Sequence, residues 1–210
     1  MDANKSALNA NFDLRQQWNN YQKTAAAFHI ESGWITPARH SLSPNHDVRP
    51  VNTAIDAIII HGISLPPGIF GGSGIEELFS NRLNPSEHPY YETIHQFKVS
   101  SHLVIRRTSA VIQYVGFEQR AWHAGVSSLE GQERCNDFSI GIELEGCDDI
   151  PYTDKQYFVL THIVTTLRRT YSGITEQRVI GHDHIAPGRK TDPGPAFDWK
   201  RLRTLMALAE

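Results

Sequence analysis

The sequence predicts an α/β fold, a central mixed β-sheet flanked by helices in a single domain with an N-terminal extension, and three observations carry that prediction. Ala57-Ile58-Ile59-Ile60-His61 is a short β-branched run of the kind that fills a strand covered on both faces. Residues 138–145, FSIGIELE, alternate strictly, with Ile140, Ile142 and Leu144 on one side and Gly141, Glu143 and Glu145 on the other. Residues 153–169 place Tyr157, Leu160, Ile163, Val164 and Leu167 at helical spacing, an apolar stripe wide enough to pack on a sheet.

Residues 1–31 are an extension rich in Asn, Gln and Ala. Leu8, Phe12, Leu14, Trp18 and Tyr21 are spaced irregularly there, which leaves open a loose helix or a segment that orders only on docking. From Gly33 onward Pro37, Pro44 and Pro50 interrupt an extended lead-in to the strand ending at His61. SLPPGIFGGSG is then a loop by its Pro and Gly content, and GIEELFSNRL a short helix. Residues 99–106 and 110–115 are two strands joined at Arg107-Thr108-Ser109, a hairpin-length turn that pairs them antiparallel. The helix at 153–169 has Thr153 to cap it, Gln156 to complete a capping box, and Arg168 and Arg169 in its last turn, where positive charge is favoured. Val179-Ile180 form a short strand leading into GHDHIAPGRKTDPGPAF, a loop too rich in Gly and Pro to be regular. An Asp198-capped helix over 198–208 closes a domain that spans 32–210.

Composition narrows the function. With 210 residues and 40% hydrophobic content the chain can bury a real core, and its net charge of −3 offers no basic field for nucleic acid or an anionic membrane. Cys135 and Cys147, its two cysteines, flank the 138–145 strand. The ends of one strand stand too far apart for a disulfide, so both are expected as free thiols. No apolar run in the first residues suits a signal peptide or a membrane span, and a cytoplasmic protein is the expectation.

Eleven histidines, spread along the chain, direct the search for chemistry. The loop from Gly181 to Pro195 gathers two His, two Asp, a Lys and an Arg where turn residues alone would serve. His182 and His184, two apart in an extended segment, can face one metal ion, and Asp183 and Asp192 add oxygen ligands. His61, ending a rigid buried strand, is the best distant third ligand, with a hydrogen-bonded core histidine as its alternative. Glu143 faces away from the packed side of its strand, either into solvent or into a cleft where it would serve as general base; Glu145 obeys the same logic. Lys190 can stabilise an oxyanion, and the RAWHAG and ERCND runs add Trp122, Arg134 and Asn136, groups that grip a sugar-peptide carrying a carboxylate.

Taken together, HGISLPPGIFGG, SSHLVIRR, RAWHAGV, ERCNDFSIGIELEG and GHDHIAPGRKTDPGPAFDW resemble the type 2 N-acetylmuramoyl-L-alanine amidases, relatives in fold of T7 lysozyme and the peptidoglycan recognition proteins. The resemblance covers about Gly33 to the C-terminal helix. It implies a single Zn²⁺ on His61, His182 and Asp192 with the fourth position left for water, Glu143 as catalytic carboxylate and Lys190 as catalytic lysine; His184 is no ligand in this family. It further implies substrate contacts from Trp122, Ala124, Arg134 and Asn136, and from Lys98, which stands before VSSH where the family carries an arginine. The LPPGIFGG and GRKTDPG runs resemble the branch that acts on 1,6-anhydro-N-acetylmuramyl peptides. For that branch the implied reaction is hydrolysis of the bond from 1,6-anhydro-N-acetylmuramic acid to L-alanine in cytosolic peptidoglycan recycling, by a monomer, with consequences for β-lactamase induction. The alternatives are a broader envelope amidase with the same zinc chemistry, or a muropeptide-binding module that does not cut.

Overall fold

The computed structural model describes residues 2–210, with side chains described from residue 13 onward. Six strands form one sheet: β1 (Arg39–His40), β2 (Ala57–Ile63), β3 (Leu103–Ile105), β4 (Val111–Gln113), β5 (Ser139–Glu145) and β6 (Val179–Gly181), in the spatial order β6-β2-β5-β3-β4-β1. The first four in that order run parallel, β4 returns antiparallel to β3, and β1 lies parallel to β4, so the sheet is mixed. Parallel central strands require cover on both faces, which is why β2 and β5 are so apolar.

One face is covered by α1 (Asp2–Thr24), α4 (Asp154–Thr170) and α6 (Trp199–Ala209). Ile58 and Ile60 of β2 and Ile140, Ile142 and Leu144 of β5 pack there against the α4 stripe in the main core. The capping box of α4 is formed, Thr153 Oγ1 accepting from Gln156 N–H and Gln156 Oε1 from Thr153 N–H. Asp198 caps α6 by accepting from Arg201 N–H at 2.9 Å. On the other face, α2 (Gly74–Phe79) and α3 (Pro89–Ile94) bury Leu78, Phe79, Tyr91 and Ile94 against Val104 and Ile112.

The extension resolves into a docked helix. Trp18 is 1% exposed and meets Phe158 and His162 of α4, with Tyr21 beside it; Leu8 and Phe12 lie outside the described side chains. Residues 29–31 then pair with 34–36 in a two-stranded ribbon, so residue 31 ends one strand of a ribbon whose other strand belongs to 32–210.

Four expectations change. The helix read at 74–83 stops at Phe79, because Ser80 caps it and Asn81 adopts a left-handed φ of 59°. The strand read at 99–106 shortens to Leu103–Ile105, with Ser100 turning its N–H to the Trp122 carbonyl. The 110–115 strand likewise shortens to Val111–Gln113. The Gly181–Pro195 loop opens with a single helical turn, α5 (His182–Ile185), and α3 is a helix with no sequence expectation behind it.

Candidate metal centre

Adjacent parallel strands carry the site to their carboxyl ends, where open α/β sheets place ligands. Register sets Glu143 of β5 beside His61 of β2, and Gly181 opposite Ile60, so that His182 follows β6 level with His61. His61 Nδ1 lies 3.0 Å from His182 Nδ1, and Asp192 Oδ2 lies 3.1 Å from both. These three residues are a candidate metal group among the described residues.

The chemistry of the donor atoms tests that reading. His182 Nε2 is 3.1 Å from the Ala124 carbonyl, which can only accept, so the proton of a neutral imidazole sits on Nε2 and Nδ1 presents a lone pair. Burial lowers His61 to about 4, which leaves it neutral at pH 7. Asp192 Oδ2 brings an anionic oxygen to the two imidazoles, 3.1 Å from each Nδ1. Imidazole nitrogens and a carboxylate oxygen crowded to about 3 Å repel one another unless a cation lies among them, and two imidazoles with one carboxylate suit a divalent ion with an open position.

Glu143 adds the second feature. It is 8% exposed, its Oε2 has no hydrogen-bond partner among the described residues, and burial pushes its carboxyl well above the ordinary range, the Asp192 charge adding to the shift and Lys190 opposing it. Glu145 is different in kind. Its Oε1 accepts from Gly71 N–H at 2.7 Å and Arg106 Nη1 at 2.9 Å and its Oε2 from Arg107 N–H at 3.0 Å, which ties the loop after β2 to the β3-β4 turn.

The centre opens into a cleft of about 560 Å³, within the range of ligand sites. Glu143, Trp122 and Lys190 line it, and Leu65, Tyr90 and Phe97 form its apolar side. Ala124 is buried and presents its carbonyl to His182; Asn136 Oδ1 accepts from His123 N–H and Ala124 N–H at 3.1 and 2.8 Å and so shapes that segment. Arg134 pairs with Asp137 and lines a neighbouring depression with Arg189, and Lys98 is exposed beside cleft residues Phe97 and Val99. His184 and Asp183 are exposed and outside the metal group. Both cysteines are free. Sequence reading missed Arg189, which donates to the Ala124 and Val126 carbonyls, and His123, whose Nδ1 lies 3.0 Å from His61 Nε2. The only sequence signal for His123 is its place in the RAWHAG run.

Known proteins share this sequence and fold. Residues 51–195 match the model of the family described as N-acetylmuramoyl-L-alanine amidase. The 1,6-anhydro-N-acetylmuramyl-L-alanine amidase AmpD of Salmonella typhimurium is 51% identical over 179 residues, 85% of this chain and 95% of the relative. A crystal structure of a selenomethionine derivative of AmpD superposes with a TM-score of 0.82 at 50% identity, covering 84% of this chain and 98% of that one. AmpDH3 of Pseudomonas aeruginosa in complex with anhydromuramic pentapeptide is 25% identical with a TM-score of 0.58, covering 74% of this chain and 62% of that one.

Proposed function

Because this chain belongs to the N-acetylmuramoyl-L-alanine amidase family, we propose that it is the amidase of peptidoglycan recycling that cleaves 1,6-anhydro-N-acetylmuramic acid from the L-alanine of its stem peptide. The observation that carries this reading is a buried, unpartnered carboxylate oxygen on Glu143, level with a His-His-Asp group at the head of a cleft. His61, His182 and Asp192 would hold one Zn²⁺, and the ion's contribution at such a site is Lewis acidity toward a carbonyl and a water.

The protein groups do the rest. Glu143, freed of its proton, takes one from the attacking water as the new C–O bond forms, and returns it to the alanine nitrogen as the C–N bond breaks. Its raised pKa makes it a strong enough base for the first transfer and a carboxyl that readily holds the proton for the second. Lys190, an exposed cation on the cleft wall, donates to the oxyanion that develops on the carbonyl oxygen. Trp122 offers an aromatic face to the sugar or peptide, and Lys98 and Arg134 lie where a stem-peptide carboxylate passing along the rim is drawn to positive charge. Ala124 and Asn136 serve the substrate through the backbone they hold.

Residues 32–210 are the catalytic domain in this reading and residues 1–31 an extension that stabilises it. No helix among the described residues is long and apolar enough to cross a membrane, and we assign the chain, as a monomer, to cytosolic muropeptides. In a bacterium with an inducible β-lactamase, loss of this activity would leave anhydro-muropeptides to accumulate. Mass-detected cleavage of matched anhydro and non-anhydro muropeptides tests the assignment. Release of peptide from the anhydro compound alone is expected, whereas equal cleavage of both points to a broad envelope amidase and binding without cleavage to a recognition module.

A further inference from the structure

We propose that His123 is a positioning residue that presets the tautomer of His61, so that His61 turns a bare Nδ1 toward the metal group before any metal arrives. The assignment rests on the metal reading above and on a directional chain of hydrogen bonds behind His61. That chain ends at a backbone carbonyl, which fixes its sense. Ser139 Oγ is 2.5 Å from the Cys135 carbonyl, and a carbonyl only accepts, so the hydroxyl proton is committed there. The lone pairs of Ser139 Oγ therefore face His123 Nε2, at a longer 3.4 Å, and His123 carries its proton on Nε2. His123 Nδ1 is then an acceptor, and the group 3.0 Å away is His61 Nε2, which must donate. A neutral imidazole has one N–H, so His61 Nδ1 is left with its lone pair in the group it shares with His182 and Asp192. His182 is preset in the same sense by the Ala124 carbonyl, so both imidazoles reach the site with the ligating nitrogen unprotonated.

The sequence makes room for this device. A Cβ at Gly141 would lie 2.5 to 2.7 Å from the His123 ring, so glycine at that place in β5 leaves the space that the ring fills. Gly141 also lies two residues before Glu143, on the same side of the strand. One strand therefore carries the proposed base and the gap for the residue that aligns a ligand. A group that orients a metal-binding imidazole typically changes metal affinity by about 10- to 100-fold when removed.

Two measurements on the full chain test the proposal. Imidazole nitrogen spectra of the metal-free wild type at about pH 8 are expected to show His61 protonated on Nε2 and His123 on Nε2; a proton on His61 Nδ1 with Nε2 bare would overturn the relay, and no variant is needed to see it. Competition with a chromophoric chelator reads zinc affinity. His123→Ala is expected to lose roughly 10- to 100-fold, and His123→Asn, whose Oδ1 takes the approximate place of Nδ1 and accepts the same proton, to regain most of it. Unchanged affinity in a folded His123→Ala contradicts the proposal. A wild-type chain that binds no zinc overturns the metal reading instead, and the tautomer spectrum still judges the relay by itself.

Discussion

Glu143 and Glu145 stand two residues apart on one strand, both buried, and differ in what their oxygens meet. Glu145 has both oxygens engaged by Gly71, Arg106 and Arg107, whereas Glu143 keeps Oε2 without a partner. Glu143→Gln preserves shape and removes the base. It is expected to keep a full complement of zinc while kcat falls by about 10²- to 10⁴-fold, as read by metal analysis beside single-turnover kinetics. Asp192→Ala is expected to lose zinc and turnover together, and His184→Ala to keep both; a zinc-replete Asp192→Ala would remove that carboxylate from the ligand set. Strict alternation in 138–145 made the orientation of Glu143 legible, and the family resemblance singled out His61, His182 and Asp192 from eleven histidines and many acids. The role of His123 was not legible, because it arises from contacts to His61 and Ser139 that span 62 and 16 positions of chain.

Among the elements, α1 shows how far local pattern reaches. Its irregular apolar residues left a loose helix and a docking segment both open, since only Leu14, Trp18 and Tyr21 of the described side chains meet the core, and the surface that receives them on α4 is remote in sequence. Helices α4 and α6 were legible because their caps, Thr153 with Gln156 and Asp198, are local signals. The turn of α5 and the helix α3 were not, because Gly and Pro around them read as loop. Helix α1 packs on the layer that covers the Ile140-Ile142-Leu144 face, opposite the side carrying Glu143. Trp18→Ala therefore costs stability and spares chemistry. We expect a loss of about 3 kcal/mol, hence a Tm lower by roughly 6–12 °C, with kcat/KM unchanged. A folded variant with altered kcat/KM would show that the extension shapes the cleft after all.

At the scale of the whole molecule, buried histidines make stability depend on pH. Burial lowers His102 from 6.5 to about 3 and His61 to about 4, with Arg49 adding to the effect at His102, and holds His123 well below its ordinary value. The unfolded chain takes up these protons below pH 6.5 and the fold does not, so stability falls as pH drops from 6.5 toward 4. Glu143 acts in the opposite sense. Its raised pKa means that the fold holds a proton above 4.5 which the unfolded chain releases, so its contribution declines as pH rises. Three histidines outweigh one carboxyl, and urea unfolding of the metal-free protein is expected to show lower stability at about pH 5 than at pH 6.5, with a steeper fall in Glu143→Gln.

The fold, the crowded donors and the open carboxylate all bear on the function proposed above, that of a zinc amidase. Its most direct test is to count zinc in the purified protein and follow release of stem peptide from anhydro-muropeptide before chelation, after chelation and after zinc is returned. One zinc per chain, with cleavage abolished by the chelator and restored by the metal, is the predicted result; cleavage that survives complete removal of metal, or a zinc-loaded protein that leaves the amide intact, would contradict it.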